Sequence, residues 1–283
     1  MADHVPAPRL IARLVRYHNR IFWRTPIAAF FTLVFPLMFL VLFNVLFGVS
    51  VEAGPTRISV AQFFAPSLAV FAAASATYTN LGIGTAIARD QGVLKRIRGT
   101  PTPPWAYLSG RVGSAMWIAL LATVLMMAVG TLAYDVTVDV ERLPAALLTF
   151  AVGVAAFAAL GLALAALSPS GDTAPAIANA TLLPLAFISG VFIPIEDPPR
   201  WLDVLATVFP LKHFVVAFQD AFSPFTTDLA FRWGNLAVMA VWGVVGAAVA
   251  LATFRWEPRG GERARLTRRR AGAGAGVGVG VGE

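Results

Sequence analysis

The 283-residue sequence contains no cysteine, three histidines and two lysines, and only 13% of its residues are charged. Without cysteine, neither disulfides nor thiolate-bound metals can contribute. His4, His18 and His213 form no His-Glu-x-x-His pair, and there is no Gly-x-Ser-x-Gly elbow, so hydrolytic chemistry lacks its usual groups. His213 and Asp220 are the nearest approach to a dyad, but a single histidine in an aromatic segment reads as structural. Neither Lys95 nor Lys212 lies in a Gly-x-x-x-x-Gly-Lys-Ser/Thr loop. No catalytic residue, metal or cofactor is therefore expected on this chain.

What the sequence has instead is apolar length. It is 58% hydrophobic with a mean hydropathy of +0.73, where soluble domains run near half apolar and about a quarter charged. A membrane-crossing helix needs about 20 mostly apolar residues. Six runs qualify, at 27–47, 61–88, 112–134, 143–167, 173–195 and 233–254, and none holds Asp, Glu, Lys, Arg or His. The first run is too long for the core of a cleaved signal peptide and is expected to stay as a span. Carriers driven by protons or ions usually keep ionisable groups inside their spans, so their absence points to an energy source outside the bilayer.

Orientation follows from positive charge. With the N-terminus cytoplasmic, the inner segments hold 17 Lys and Arg against 6 Asp and Glu, and the outer segments 5 against 9. Both termini are then expected in the cytoplasm of a multi-pass plasma-membrane protein. The net charge of +7 reflects topology and contact with membrane lipid, not a nucleic-acid partner.

Three segments stand out between the runs. Arg9, Arg13, Arg16, Arg20 and Arg24 recur every three or four residues beside Leu10, Leu14, Tyr17 and Ile21, the pattern of an amphipathic helix over 1–26 lying in the inner interface. The connector 89–111, "RDQGVLKRIRGTPTPPWAYLSGR", packs five cations, three prolines and three glycines into one loop. Gly92 and Gly99 bracket a short helix with Val93, Leu94 and Ile97 on one side and Lys95, Arg96 and Arg98 on the other, stopped by Thr100-Pro101. Residues 199–222 read as two half-length helices split by Pro210 and dipping into the outer leaflet. The basic, then Gly/Ala/Val-rich tail 255–283 is expected to be disordered. Pro36, Pro66, Pro175 and Pro184 lie within runs and are expected to kink their helices.

Two stretches carry a family resemblance. "ARDQGVLKRIRGTPTPPWAYLSGR" is similar to an acidic residue, Gly, apolar-basic run, Thr-Pro and Gly-Arg that follow the second span in membrane subunits of ABC transporters of the second, export-associated type. "SGVFIPIEDPPRWLDVLATVFPLKHFVVAFQDAF" is similar to the Ser-Gly, Pro, Trp and Pro-Leu segment before their last span. The chain thus resembles an ABC-2 permease over roughly residues 9 to 256.

The resemblance implies an all-α integral membrane fold of six spans, an N-terminal interfacial helix and a short outer hairpin. It implies pairing with a second permease copy, identical or related, and with two cytoplasmic ATPase subunits that hold ATP and magnesium. ATPase-coupling contacts carried over are Arg89, Asp90, Gly92, Lys95, Arg96, Arg98, Thr100 and Pro101, with Arg13, Arg16 and Arg20. Polar groups of the kinked second and fifth spans, Tyr78, Asn80, Asn179 and Thr181, with Phe187, are candidates for a substrate path, against the strong alternative that they hydrogen-bond between helices. A chargeless path suits a hydrophobic or amphiphilic drug, antibiotic or lipid. Export of a polysaccharide or lipid-linked glycan, or a non-transporting anchor for a cytoplasmic protein, remain as alternatives.

Overall fold

The computed structural model describes residues 6–48, 50–53, 56–100, 102–192 and 199–254. The expected tail 255–283 lies outside them. A helix α1 (Ala7–Trp23) precedes the first long helix α2 (Pro26–Phe47), and a two-stranded antiparallel hairpin, β1 (Ser50–Ala53) and β2 (Thr56–Ser59), follows. Next comes α3 (residues 61–90), built from Ala61–Ala74, a π-helical stretch Ser75–Asn80, and Leu81–Asp90. Then follow α4 (Val93–Arg98), α5 (Pro104–Tyr134), α6 (Leu143–Leu167), α7 (Ala174–Ile188), α8 (Arg200–Val208), α9 (Pro210–Phe222) and α10 (Trp233–Thr253).

Nearly every side chain of α3 through Thr77 is buried, so α3 forms the centre of the bundle. It leans on α2, α5, α6 and α9. Small residues permit this packing. A Cβ added at Gly153 would come within 2.6 Å of Phe214, and one at Gly246 within 2.9 Å of the Leu160 nitrogen, so α6 lies close to both α9 and α10. At the end of the bundle away from the connector Gln62 is saturated: its amide donates to Thr137 O (3.0 Å) and Phe222 O, and its oxygen accepts from Thr137 N (2.8 Å). Arg232 closes the same end with Asp220 (2.6 Å) and Asp228 (2.8 Å). Asp228 sits below the usual carboxylate range, chiefly because Ala230 N–H donates to it and then because of Arg232.

The structure corrects several boundaries. Among the described residues four helices are long and apolar enough to cross a membrane, Pro26–Phe47, Pro104–Tyr134, Val140–Leu167 and Trp233–Thr253. The α8–α9 pair, bent by 88°, adds a fifth if it counts as one span. The run at 61–88 is divided by its π stretch, and the run at 173–195 yields only the 15 residues of α7, about 22 Å of helix. The connector is shorter than 89–111: Arg89 and Asp90 close α3, while α5 begins at Pro104, because proline in the first turn needs no donor and presets the dihedral. Pro175 likewise opens α7 instead of kinking it. Pro36 sits just after a π-helical stretch, Phe30–Val34, which absorbs the register change at its missing donor. The hairpin is a departure from an all-α fold, formed where β-branched residues alternate with polar ones. On α1, His18 and Phe22 are the buried residues, and Tyr17 and Ile21 of its apolar stripe are exposed.

Candidate functional site

The connector is anchored by an arginine turned inward. Arg89 is 1% exposed. Its guanidinium donates to Ala165 O (2.7 Å) and Ser168 O (2.9 Å), the carbonyls that end α6, and to Asp90 Oδ1 (3.0 Å). A cation at a helix C-terminus meets unpaired carbonyls and the negative end of the dipole. Asp90 in turn accepts from Gly171 N–H (2.6 Å). Arg89 and Asp90 thus bind the α3 end to the loop between α6 and α7, 76 to 81 residues away. Arg89 was expected to face a partner subunit, but its burial leaves it to position the connector. Its pairing with Ala165 and Ser168, and that of Asp90 with Gly171, has no local sequence signal.

Gly92 then turns the chain with φ +71°, a region open to glycine. In α4, Leu94 is fully buried with Ala88 and Tyr107, Val93 and Ile97 pack at the edge, and Lys95 and Arg96 are exposed. Thr100 Oγ1 donates to Ile97 O (2.7 Å), closing the helix. Pro101 and the side chain of Arg98 lie outside the described residues. Leu14 of α1 joins the same cluster as Leu94, and a Cβ at Gly110 or Gly113 of α5 would collide with Leu14 or Val15. This seating leaves Arg13, Arg16 and Arg20 exposed. This end of the bundle therefore presents two basic helices, α1 and α4, which meet in one apolar cluster through Leu94, fully buried, and Leu14, partly buried.

Above this end lies a polar bulge on α3. The π-helical turn Ser75–Asn80 carries Tyr78 and Asn80. The Tyr78 hydroxyl lies 2.7 Å from Thr181 Oγ1, which donates onward to Ile177 O (2.8 Å). Asn80 donates to Thr32 Oγ1, which sits in the π-helical stretch of α2. Such bulges expose backbone and redirect side chains, and they recur at functional sites. Opposite, Gly161 of α6 makes room: a Cβ there would overlap Thr77 O and stand 2.9 Å from Tyr78 O. Asn179 and Phe187 lie on the exposed side of α7, and Phe187 contacts Phe192 with ring centroids 5.0 Å apart. Tyr78 is thus paired with Thr181 and Asn80 with Thr32, while Asn179 and Phe187 lie on α7 on either side of Thr181 in sequence. Thr32 escapes sequence reasoning, since a π turn has no composition of its own, whereas a glycine within a span such as Gly161 reads as a close helix contact.

His213 does not pair with Asp220. Its ring nitrogens meet Asn235 Oδ1 (3.1 Å) and Thr207 O (2.7 Å), so it joins α8, α9 and α10. Among the described residues no group of three His, Cys, Asp or Glu is gathered as for a metal ion.

The pattern of a family described as "ABC-2 type transporter" matches residues 9–223. A protein of Escherichia coli (strain K12) named "Probable multidrug ABC transporter permease YbhR" is 23% identical over 193 residues, covering 68% of this chain and 52% of its own length. One of Bacillus subtilis (strain 168) named "Putative transport permease YvfS" is 28% identical over 148 residues, 52% of this chain and 60% of its own. The chain spans a little over half the length of the curated relatives it matches.

Proposed function

The chain belongs to the ABC-2 type transporter family, and from that premise we propose that it is the membrane permease of an ATP-driven exporter. In this reading α2, α3, α5, α6, α7 and α10 cross the plasma membrane, both termini are cytoplasmic, and α8 and α9 cap the outer end. The permease pairs with a second copy of itself or a close relative. Two cytoplasmic ATPase subunits, holding ATP and magnesium, supply the energy.

The continuity of α3 carries the proposal. Its last segment, Leu81–Asp90, joins the polar bulge directly to the clamped connector, over about 15 Å of helix. A load applied to the exposed cations Lys95 and Arg96, with Arg98, Thr100 and Pro101 beside them, and to Arg13, Arg16 and Arg20 of α1, reaches Tyr78 and Asn80 through one rod. Arg89, Asp90 and Gly92 transmit that load from inside the chain. Alternating access then follows from ATPase closure pushing α1 and α4. The path holds hydroxyls, amides and aromatics without formal charge, which suits a hydrophobic or amphiphilic cargo; the printed multidrug name of the Escherichia coli relative agrees.

The test is the combined change Lys95→Glu, Arg96→Glu and Arg98→Glu, assayed in proteoliposomes with the partner ATPase. Membrane insertion is expected to be normal and drug-stimulated hydrolysis and export lost. Export at the normal rate refutes the coupling role, and hydrolysis that responds to charged glycans but ignores lipophilic drugs refutes the cargo class.

A further inference from the structure

Between α1, the inner end of α3 and the start of α5 lies a cavity of about 430 Å³, within the size range of small-molecule sites. Its two ends differ. One wall is apolar, with Ala76, Leu81, Ala115 and Ile118. At the other end stand Arg111, Tyr107 and His18. No Asp or Glu lines it. Arg111 donates to the Tyr107 hydroxyl (3.1 Å) and lies over its ring, and among the described residues no carboxylate pairs with it. Its Nη2 atom rests against the bare backbone of Gly84, where an added Cβ would stand 2.6 Å away.

His18 is 8% exposed, and its Nε2 is buried with no hydrogen-bond partner. Buried polar groups are almost always satisfied, so an orphan beside an unpaired guanidinium points to an absent ligand. Burial first, and Arg111 second, hold the His18 pKa down at about 3. The imidazole is therefore neutral and adds an N–H without a second cation. Tyr17 and Trp23, exposed on α1 beside its arginines, are the residues of a membrane interface.

We propose that this cavity binds one phospholipid with an anionic headgroup, drawn from the inner leaflet, with its phosphate on Arg111, Tyr107 and His18 and the start of its acyl chain along Ala76, Leu81, Ala115 and Ile118. The cation fixes the head by charge-assisted hydrogen bonds, and the apolar wall demands a ligand with a tail. A bound lipid wedges α1 against α3 and α5 at the level where α1 meets the connector.

Native mass spectrometry of the full chain in detergent, titrated with phosphatidylglycerol, phosphatidylcholine or inorganic phosphate, tests this. The wild type is expected to retain one phosphatidylglycerol per chain, about tenfold tighter than phosphatidylcholine. Arg111→Gln should lose that preference. Gly84→Val, which keeps the charge but displaces the guanidinium, should lose it too, and remains informative if Arg111→Gln does not fold. Arg111→Lys should keep most of the preference and Arg9→Gln, on the exposed face of α1, all of it. Equal retention of the two lipids by the wild type overturns the proposal, as does an unchanged preference in both Arg111→Gln and Gly84→Val. Loss in Arg9→Gln equal to that in Arg111→Gln overturns it in favour of diffuse surface charge. Displacement of the lipid by millimolar inorganic phosphate overturns it in favour of a free-anion site.

Discussion

Each end of the bundle, inner and outer in the proposed orientation, is stapled by an arginine that holds backbone carbonyls from a distant part of the chain. At the inner end Arg89 binds Ala165 O and Ser168 O and pairs with Asp90. At the outer end Arg142 binds Ser223 O (2.7 Å) and Thr226 O and pairs with Asp139 at 3.3 Å. The chemistry is the same; the surroundings differ. The Arg89 side chain is 1% exposed, while Arg142 is 14% exposed and its carboxylate 42%. Water screens the outer pair and refills its hydrogen bonds when it opens, so that end can give. The inner guanidinium has no such substitute: Asp90, 27% exposed, keeps water when the pair opens, but the buried carbonyl contacts that Arg89 makes at the end of α6 are lost without replacement. Softness belongs to the cap made by α8 and α9, and rigidity to the end where the proposed function puts the ATPase contact.

The sharpest way to break this contrast is Arg89→Ala, expected to cost about 4 kcal/mol for two charge-assisted hydrogen bonds to buried carbonyls; unfolding followed by heat in micelles measures it. Gly161→Ala comes next, at about 3 kcal/mol, since α6 must move off the π-helical turn by overpacking. It should also alter the response of ATPase activity to drugs, which a stability loss spread evenly over the bundle would not do selectively. Arg142→Ala is expected to cost about 2 kcal/mol, within the range for hydrogen bonds to a charged group. A loss there as large as that in Arg89→Ala would remove the distinction between the ends.

The smallest effect concerns pH and again tests the inner end. His18 faces Arg111 and Tyr107 of α5 and adjoins Tyr17, with no acid lining the same cavity. Above pH 6.5 the imidazole is neutral folded or unfolded. Below it the unfolded chain takes up a proton that the folded chain refuses until pH falls to about 3. Stability is therefore present above 6.5 and falls as pH drops from there toward 3, by about 1 kcal/mol over the first unit. His18→Leu should flatten that slope between pH 6.5 and 5.5, measured by the same unfolding assay. An unchanged slope would show that the imidazole is solvated and the inner end looser than its contacts indicate.

The helices were legible from the sequence because apolar runs and proline positions are local. Leu143–Leu167 and Trp233–Thr253 follow the runs within a residue, and Pro210 marks the bend between α8 and α9. The start of α5 was also written there, in Pro103-Pro104, but the same prolines read equally well as loop. What stayed hidden depends on distant partners. Arg89 shares its charge and neighbourhood with Arg96, yet one is buried and one exposed, because only Arg89 meets the end of a helix 76 residues away. Ser75–Asn80 contains no proline and reads as ordinary helix; its π turn is permitted by Gly161 from another element. The hairpin at 50–59 was short enough to pass for a loop between spans.

The Arg89 clamp also fixes an order of events during synthesis. The arginine leaves the ribosome 76 residues before Ala165, which at 5–20 residues per second is roughly 4 to 15 seconds. For that interval its guanidinium has only Asp90 beside it, and α3 cannot settle. Not until α6 has entered the membrane do the missing carbonyls arrive. A chain stalled before residue 165 therefore carries the end of α3 without its clamp.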